Sequence, residues 1–303
     1  MLRFARMLRR LVRWTAILIV VLAGIVVASV YAISERALNK VYDVKAVAVV
    51  IPTAPEDIER GRHIAQAVGS CTMCHGEDVG GRVYADMGAL GVIVGSNLTR
   101  GKGGVGSKFS DLDFVRAIRH GVHQDGTSLV AMPSEVFTHM SDGDLASVIA
   151  FLKNAPPVDR ELPPTRFGFA GRALLAAGKL NILVAPKTHH EPNSPYVRPA
   201  PSVEYGRYLA TISGCHGCHG TGLSGGRVAG PPNLPPASNL TPTGLGTWSQ
   251  TDFFTALREG KRPDGKVLDE FMPWKSFAKM TDNEVMAIWL YLKSVPPKPT
   301  GNK

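Results

Sequence analysis

Cys71-Thr72-Met73-Cys74-His75 and Cys215-His216-Gly217-Cys218-His219 are the two stretches on which the reading of this chain turns. Each has the form C-x-x-C-H, the attachment signature of a c-type haem. The two thiols add to former vinyl groups of a porphyrin, and the adjacent histidine reaches the iron from one face. The two copies use all 4 cysteines of the chain. None remains for a disulfide, a zinc site or a thiol nucleophile. A thioredoxin-like redox pair or half of a zinc ribbon also contains C-x-x-C. Two matches that exhaust the cysteine count, inside a longer repeat, weigh against both.

The repeat extends well beyond the cysteines. Gly61-Arg62 returns as Gly206-Arg207, and Ser96-Asn97-Leu98-Thr99 as Ser238-Asn239-Leu240-Thr241. Phe109-Ser110 through Gly121 returns as Trp248-Ser249 through Gly260, and Met132-Pro133 as Met272-Pro273. Leu152-Lys153 with Pro156-Pro157 returns as Leu292-Lys293 with Pro296-Pro297. This is the pattern of a duplicated domain of roughly 100 residues, one haem to each copy. A haem supplies much of the apolar core that so small a domain would otherwise struggle to build.

The N-terminus sets the compartment. Arg3, Arg6, Arg9, Arg10 and Arg13 precede an uncharged apolar run from Trp14 to Ile33. Twenty residues at 1.5 Å each suffice to cross a hydrocarbon core of about 30 Å. The arginines hold the N-terminus in the cytoplasm and place the remainder outside, the side on which haem c is attached in bacteria. Val30-Tyr31-Ala32 would serve as a cleavage site, but the run exceeds the 7–15 residues of a signal-peptide core, so an uncleaved anchor is favoured. The formal charge of +9 falls to +4 once the five N-terminal arginines are set aside. Four haem propionates would bring the external part close to neutrality. The charge therefore reports topology, and no nucleic-acid partner is expected.

Local signals place the helices. Ile58, Gly61, Ile64, Ala65 and Val68 share one helical face leading into the first cysteine pair, and Tyr205 to Ile212 does the same before the second. Ser110 with Asp113, and Ser249 with Asp252, read as helix starts closed by Gly121 and Gly260. The last helix of each copy starts at Ser141 or at Thr281, where Glu284 completes a capping box, and ends before a Pro-Pro pair. Between the copies, Arg166 to Ala185 is apolar with a few basic residues. It reads as a helix bracing the two domains, in preference to one resting on the membrane surface. Pro186 to Pro201 reads as a stiff extended connection. Its His189-His190 pair points to opposite sides and is given no ligand role.

The order C-x-x-C-H, N-L-T, a helix opening with an aromatic and Ser, Met-Pro, and a final helix ending in Leu-Lys-x-x-Pro-Pro resembles class I cytochrome c. It is most similar to the membrane-associated multihaem cytochrome c subunits of bacterial alcohol and gluconate-type dehydrogenases. Asn239-Leu-Thr-Pro-Thr-Gly-Leu-Gly-Thr-Trp248-Ser249 is the most specific stretch, and the resemblance covers about residues 56–298. Those subunits typically carry three haems, and this chain has motifs for two. The second axial ligand decides the function. A Met sulfur raises the potential of a His-ligated haem, and the resemblance places that ligand at Met132 and Met272, each before a proline. It also implies that Asn97 and Asn239 help hold the Met-bearing loop. Gly61 and Gly206, with Phe151 and Tyr291, are expected where the first and last helices of each copy cross. Met140 and Met280 are explained without iron, as apolar residues before an N-cap packing on Leu145 and Val285. His120 and His123 have no matching histidines in the second copy.

The fold expected is all-α. Residues 1–13 form a cytoplasmic tail, 14–33 the anchor, 34–54 a stalk, 55–157 and 202–298 two class I cytochrome c domains, and 158–201 their connection. Cys71, Cys74, Cys215 and Cys218 would bind two haem c groups covalently, with His75, Met132, His219 and Met272 as axial ligands to iron. The expected function is relay of single electrons at the periplasmic face of a bacterial inner membrane. The donor would be a dehydrogenase or quinol-oxidising complex, the acceptor a terminal oxidase or soluble cytochrome. The rival readings are a di-haem enzyme such as a peroxidase, with one haem open to substrate, and a haem-bearing sensor subunit.

Overall fold

A computed structural model describes residues 2–191, 195–228 and 234–301. Residues 192–194 and 229–233, which belong to the expected connection and second domain, lie outside the described residues. The apolar N-terminal run is part of one long helix, α1 (Leu2–Leu38), of which Arg6–Leu38 is long and apolar enough to cross a membrane. Its Ile, Val and Leu side chains are exposed along its length. A helix whose apolar side chains face outward in this way suits lipid better than water.

The remainder holds two similar series of short helices, the second with one helix more. The first is α2 (Pro55–His63), α3 (Cys71–His75), α4 (Asp111–Val115), α5 (Ser134–Phe137) and α6 (Asp142–Asn154). α2 and α4 continue as π-helical turns, Ile64–Val68 and Arg116–His120. After a connecting helix, α7 (Phe169–Ala176), the second series is α8 (Val203–Ile212), α9 (Cys215–His219), α10 (Pro242–Leu245), α11 (Gln250–Glu259), α12 (Trp274–Phe277) and α13 (Asp282–Ser294). The caps stand where the sequence places them. Ser110/Asp113, Ser249/Asp252 and Thr281/Glu284 form complete capping boxes, and Ser141 accepts from the Asp144 N–H.

The all-α expectation needs one correction. A three-stranded antiparallel sheet stands in the first half, in the order β1 (Arg82–Asp86), β2 (Gly91–Gly95), β3 (Arg166–Phe167). Its β1–β2 hairpin is local. The third strand is contributed from beyond the last helix of the first half, so no local pattern announces it.

The two helix crossings are as close as backbone allows. A Cβ on Gly61 would lie 1.9 Å from the Ser147 carbonyl oxygen, and one on Gly206 would lie 1.9 Å from that of Ala287. Arg62 covers the Phe151 ring and Arg207 the Tyr291 ring. One continuous apolar core runs through both halves, from Ile64, Phe114 and Ile149 to Leu209, Phe253 and Ile288.

The halves meet through an approximate two-fold exchange of polar partners. Asp144 and Glu284 are equivalent residues, each at the start of its last helix, and both are buried. Asp144 pairs with Arg60 of its own half at 2.6 Å and accepts from the Tyr208 hydroxyl of the other at 2.6 Å. Glu284 accepts from Tyr205 of its own half at 3.4 Å and from His63 Nε2 of the other at 2.8 Å. Burial acts to raise the Glu284 carboxyl pKa, but the bonds from His63 and the Thr281 cap outweigh it and hold the group below its usual range. The exchange extends to packing: α5 rests on α8, and α12 rests on the π-turn after α2.

Neither connecting segment hangs free. Residues 40–51 lie along the first half, with Val41 bridged to Thr127 and Val44 buried. α7 packs against α1 and the Gly88–Leu90 turn. The preferred reading, a brace between the two halves, is corrected: this helix braces the first half against α1.

Candidate haem-binding sites

In both halves the residue before the first cysteine takes a left-handed conformation, Ser70 at φ 51° and Gly214 at φ 76°. The turn starts a one-turn helix that sets two cysteines and a histidine on a single coil. All four cysteines are half-buried thiols. Burial, with the neighbouring thiol of each pair, pushes Cys71 and Cys215 up to about 12, the opposite of the depressed thiolate of a redox-active C-x-x-C.

The two histidines are held alike. His75 Nδ1 lies 2.8 Å from the Ser96 carbonyl oxygen, and His219 Nδ1 lies 2.7 Å from that of Ser238. A carbonyl only accepts, so Nδ1 carries the proton and Nε2 the lone pair, the arrangement of an imidazole oriented for a metal. Burial lowers the His75 pKa, so the ring is neutral at pH 7.

This assigns the Ser-Asn-Leu-Thr repeat a role that the sequence reading missed. Asn97 Oδ1 accepts from Thr99 N–H and Oγ1 at 2.9 and 2.8 Å, while its Nδ2 donates to the Val158 carbonyl at 2.7 Å. Asn239 makes the same bonds with Thr241 and the Lys298 carbonyl. Each asparagine ties its loop to the segment after the last helix of its half and so fixes the serine carbonyl that orients the histidine. The expected tie to the Met-bearing loop is not the one made. The repeat itself was the available signal, since a buried Asn-x-Thr preserved in both copies marks a built turn.

In the second half, Cys215, Cys218, His219 and Met272 line one cavity of about 370 Å³. Its other walls are mainly apolar, with Leu240, Phe253, Leu257, Phe277, Ile288 and Leu292 among them. Met280 lines the same cavity. It is buried, and its carbonyl accepts from Arg258. Two thiols and an oriented imidazole facing an apolar cavity that also holds a thioether are a donor set that fits a covalently bound haem. In the first half, Cys71, Leu98 and Met132 pack on the same core.

The Met-bearing loops differ between the halves. Val130 bridges Leu183, Ala131 N–H donates to the Ile182 carbonyl at 3.0 Å, and Val184 N–H donates to Leu129 O at 3.1 Å. Ser128 Oγ accepts from Val184 and Ala185 N–H, each at 2.9 Å. Residues 182–185 are thus a strap over the Met132 loop. The Met272 loop is turned by local bonds, Phe271 N–H to Asp269 Oδ1 and Met272 N–H to Asp269 O, and its Val267 and Phe271 are exposed.

Three further histidines take structural places. His190 Nε2 faces the Ala185 carbonyl at 3.1 Å and its Nδ1 lies 3.3 Å from His120 Nδ1. His120 is buried, and burial together with His190, Arg119 and Arg116 pulls its pKa down to about 4. His189 is exposed, with its carbonyl accepting from Thr138.

Comparison with known proteins agrees with this chemistry. Residues 56–152 match the family described as cytochrome C oxidase, cbb3-type, subunit III. A "Diheme cytochrome c-type" of Cereibacter sphaeroides is 31% identical over 272 residues, covering 79% of this chain and 86% of that protein. The "Fructose dehydrogenase cytochrome subunit" of Gluconobacter japonicus is 30% identical over 268 residues, covering 80% of this chain and 53% of that subunit. The "Gluconate 2-dehydrogenase cytochrome c subunit" of Pantoea cypripedii is 30% identical over 278 residues, covering 80% of this chain and 60% of that subunit. The chain thus spans little more than half the length of the dehydrogenase subunits it matches.

Proposed function

We propose that this chain, which belongs to the c-type cytochrome family, is a membrane-anchored electron carrier with two haem c groups. It passes single electrons from a dehydrogenase or quinol-oxidising complex to a terminal oxidase or soluble cytochrome. The observation that carries the reading is the repeated histidine geometry: His75 and His219, each beside its cysteine pair, each held through Nδ1 by a serine carbonyl.

In this reading residues 55–157 and 202–298 are two class I cytochrome c domains. Cys71 and Cys74 hold one haem and Cys215 and Cys218 the other. When bound, the haem iron supplies the one-electron couple. The chain's residues do the rest. His75 and His219 would hold the iron through Nε2, and Met132 and Met272 would supply a soft sulfur that favours the reduced state. Met132 and Met272 are preferred to Met140 and Met280 because the latter are buried core residues standing directly before helix N-caps. The mainly apolar walls of the cavity in the second half would limit water around the iron and so keep reorganisation on electron transfer small. The anchor crosses the bacterial inner membrane with its five arginines cytoplasmic and the haem domains periplasmic.

Membranes from cells with and without the chain test this. Addition of a dehydrogenase substrate or a quinol should reduce a haem c signal that only the chain-bearing membranes possess, and oxygen should reoxidise it through the terminal oxidase. A haem c signal that neither responds to any such donor nor drains to an oxidase would refute the relay.

A further inference from the structure

α7 has two of its sides accounted for. One lies against the last turns of α1. Phe169 and Tyr31 have ring centroids 6.4 Å apart, and the Arg172 guanidinium sits 5.0 Å above the Tyr31 ring. Arg172 also donates to Ser34 Oγ at 3.1 Å and to Glu35 Oε2 at 2.7 Å. On another side Gly171 meets the Gly88–Leu90 turn so closely that a Cβ would lie 2.0 Å from the Leu90 carbonyl oxygen. What is left uncovered is apolar: Phe169 is 47% exposed and Leu174 38%. Exposed basic residues, Arg166 and Lys179 of this segment, Arg36 of α1 and Lys40 just beyond it, lie around it in the chain.

The contact with α1 fixes the height of this face. The uncharged run of α1 ends at Ile33, so Tyr31 lies within one turn of the end of the hydrocarbon-crossing stretch. Phe169 touches Tyr31 and therefore shares that level, where aromatic side chains gather in membrane proteins. Arg172 reaches residues 34 and 35, one turn further out, where a guanidinium meets headgroups and water.

We propose that α7 is seated in the interfacial layer of the same bilayer that α1 crosses, with Phe169 and Leu174 turned into the boundary between headgroups and acyl chains. The inference rests on the reading of α1 as a membrane anchor. It gives the first half a fixed seat on the membrane, clamped through α7, Arg172 and Gly171. The occupant of the exposed face is lipid, because the face is continuous with a lipid-facing helix.

The test uses the full holoprotein in vesicles of phosphatidylcholine and phosphatidylglycerol. Single substitutions Phe169→Cys, Leu174→Cys, Val26→Cys in the anchor and Val203→Cys in the second half each carry a nitroxide label, with the signal of the unsubstituted protein subtracted. Accessibility to oxygen, which enters lipid, is compared with accessibility to a water-soluble nickel chelate. The expected result is nickel accessibility at 169 and 174 several-fold below that at 203, with oxygen accessibility raised toward the value at 26. Nickel access at 169 and 174 equal to that at 203, with 26 protected, overturns the inference while leaving the anchor intact. Low access to both reagents means protein covers the face, which also overturns it. Free nickel access at 26 removes the anchor reading and the inference with it.

Discussion

Replacing Gly206 by alanine tests one of the two close helix crossings. The new Cβ would stand 1.9 Å from the Ala287 carbonyl oxygen, 2.4 Å from its carbon and 2.9 Å from Tyr291 Cβ. Ordinary contact begins near 3.4 Å, so α8 and α13 must part by about 1.5 Å. Two of the three atoms met are backbone, so no rotamer change relieves the clash. Forcing extra carbon into a packed site costs typically 1–3 kcal/mol, and this site belongs at the upper end. The helical preference of alanine over glycine returns about 1 kcal/mol. The net expectation is a loss of about 2 kcal/mol, roughly a thirty-fold fall in the folded-to-unfolded ratio. The consequence is local as well, because α8 leads to Cys215 and α13 supplies Ile288 and Leu292 to the cavity. Guanidinium unfolding of the holoprotein in detergent, followed by circular dichroism, measures the loss. Gly143→Ala is the control: it lies in α6 with nothing within 4 Å of its Cβ and should gain the propensity term alone. A Gly206→Ala midpoint at or above wild type would show that the crossing is not close and would refute the packing argument. Gly61→Ala, 1.9 Å from the Ser147 carbonyl oxygen, should behave as Gly206→Ala does.

Ser128→Ala removes the acceptor of the Ala185 N–H and one of the two acceptors of the Val184 N–H, which keeps the Leu129 carbonyl; the one buried N–H left unpaired costs about 1–3 kcal/mol. Amide exchange at residues 182–188 should accelerate while that of α13 is unchanged, and equal protection in the two proteins would show that the strap does not depend on Ser128. Tyr208→Phe deletes the hydroxyl bonded to Asp144 at 2.6 Å across the two-fold interface. A charge-assisted bond of this kind contributes about 1.5–3 kcal/mol, and an unchanged unfolding midpoint would contradict its assignment. His120, with its pKa moved from 6.5 to about 4, resists protonation only when folded. The unfolded chain binds the extra proton between those values, so this contribution is complete above pH 6.5 and is lost as pH falls toward 4, by at most about 1.4 kcal/mol per pH unit. His120→Gln should flatten that part of the stability–pH curve, and an unchanged slope would place the titration elsewhere.

What the sequence made legible was whatever a residue states about its own neighbourhood. Ser110, Ser249 and Thr281 announced helix starts because a cap acts within three residues. The duplication made Gly61 and Gly206 readable as one crossing seen twice. Pairings between distant segments were not legible. β3 joins β2 from beyond a whole half, the 182–185 strap reaches back over the Met132 loop, and α7 packs on α1, whose contact residues Tyr31, Ser34 and Glu35 carry no local mark of it. Asn97 and Asn239 were noticed through resemblance and given the wrong partner. Their bonds run to Val158 and Lys298, residues that differ between the copies because only their backbone carbonyls are used. The exchange of Asp144 and Glu284 between halves was hidden for the same kind of reason: His63 and Tyr208 are equivalent in place but unlike in chemistry.

The central claim is two closed haems in one chain, and a spectroelectrochemical titration of the purified holoprotein tests it most directly. The account predicts two electrons per chain and a Met–iron charge-transfer band in the ferric protein. That band should fall by half in Met132→Ala and in Met272→Ala, vanish in the double variant, and survive in Met280→Ala. One electron per chain, or a band untouched by Met272→Ala and diminished by Met280→Ala, would contradict it.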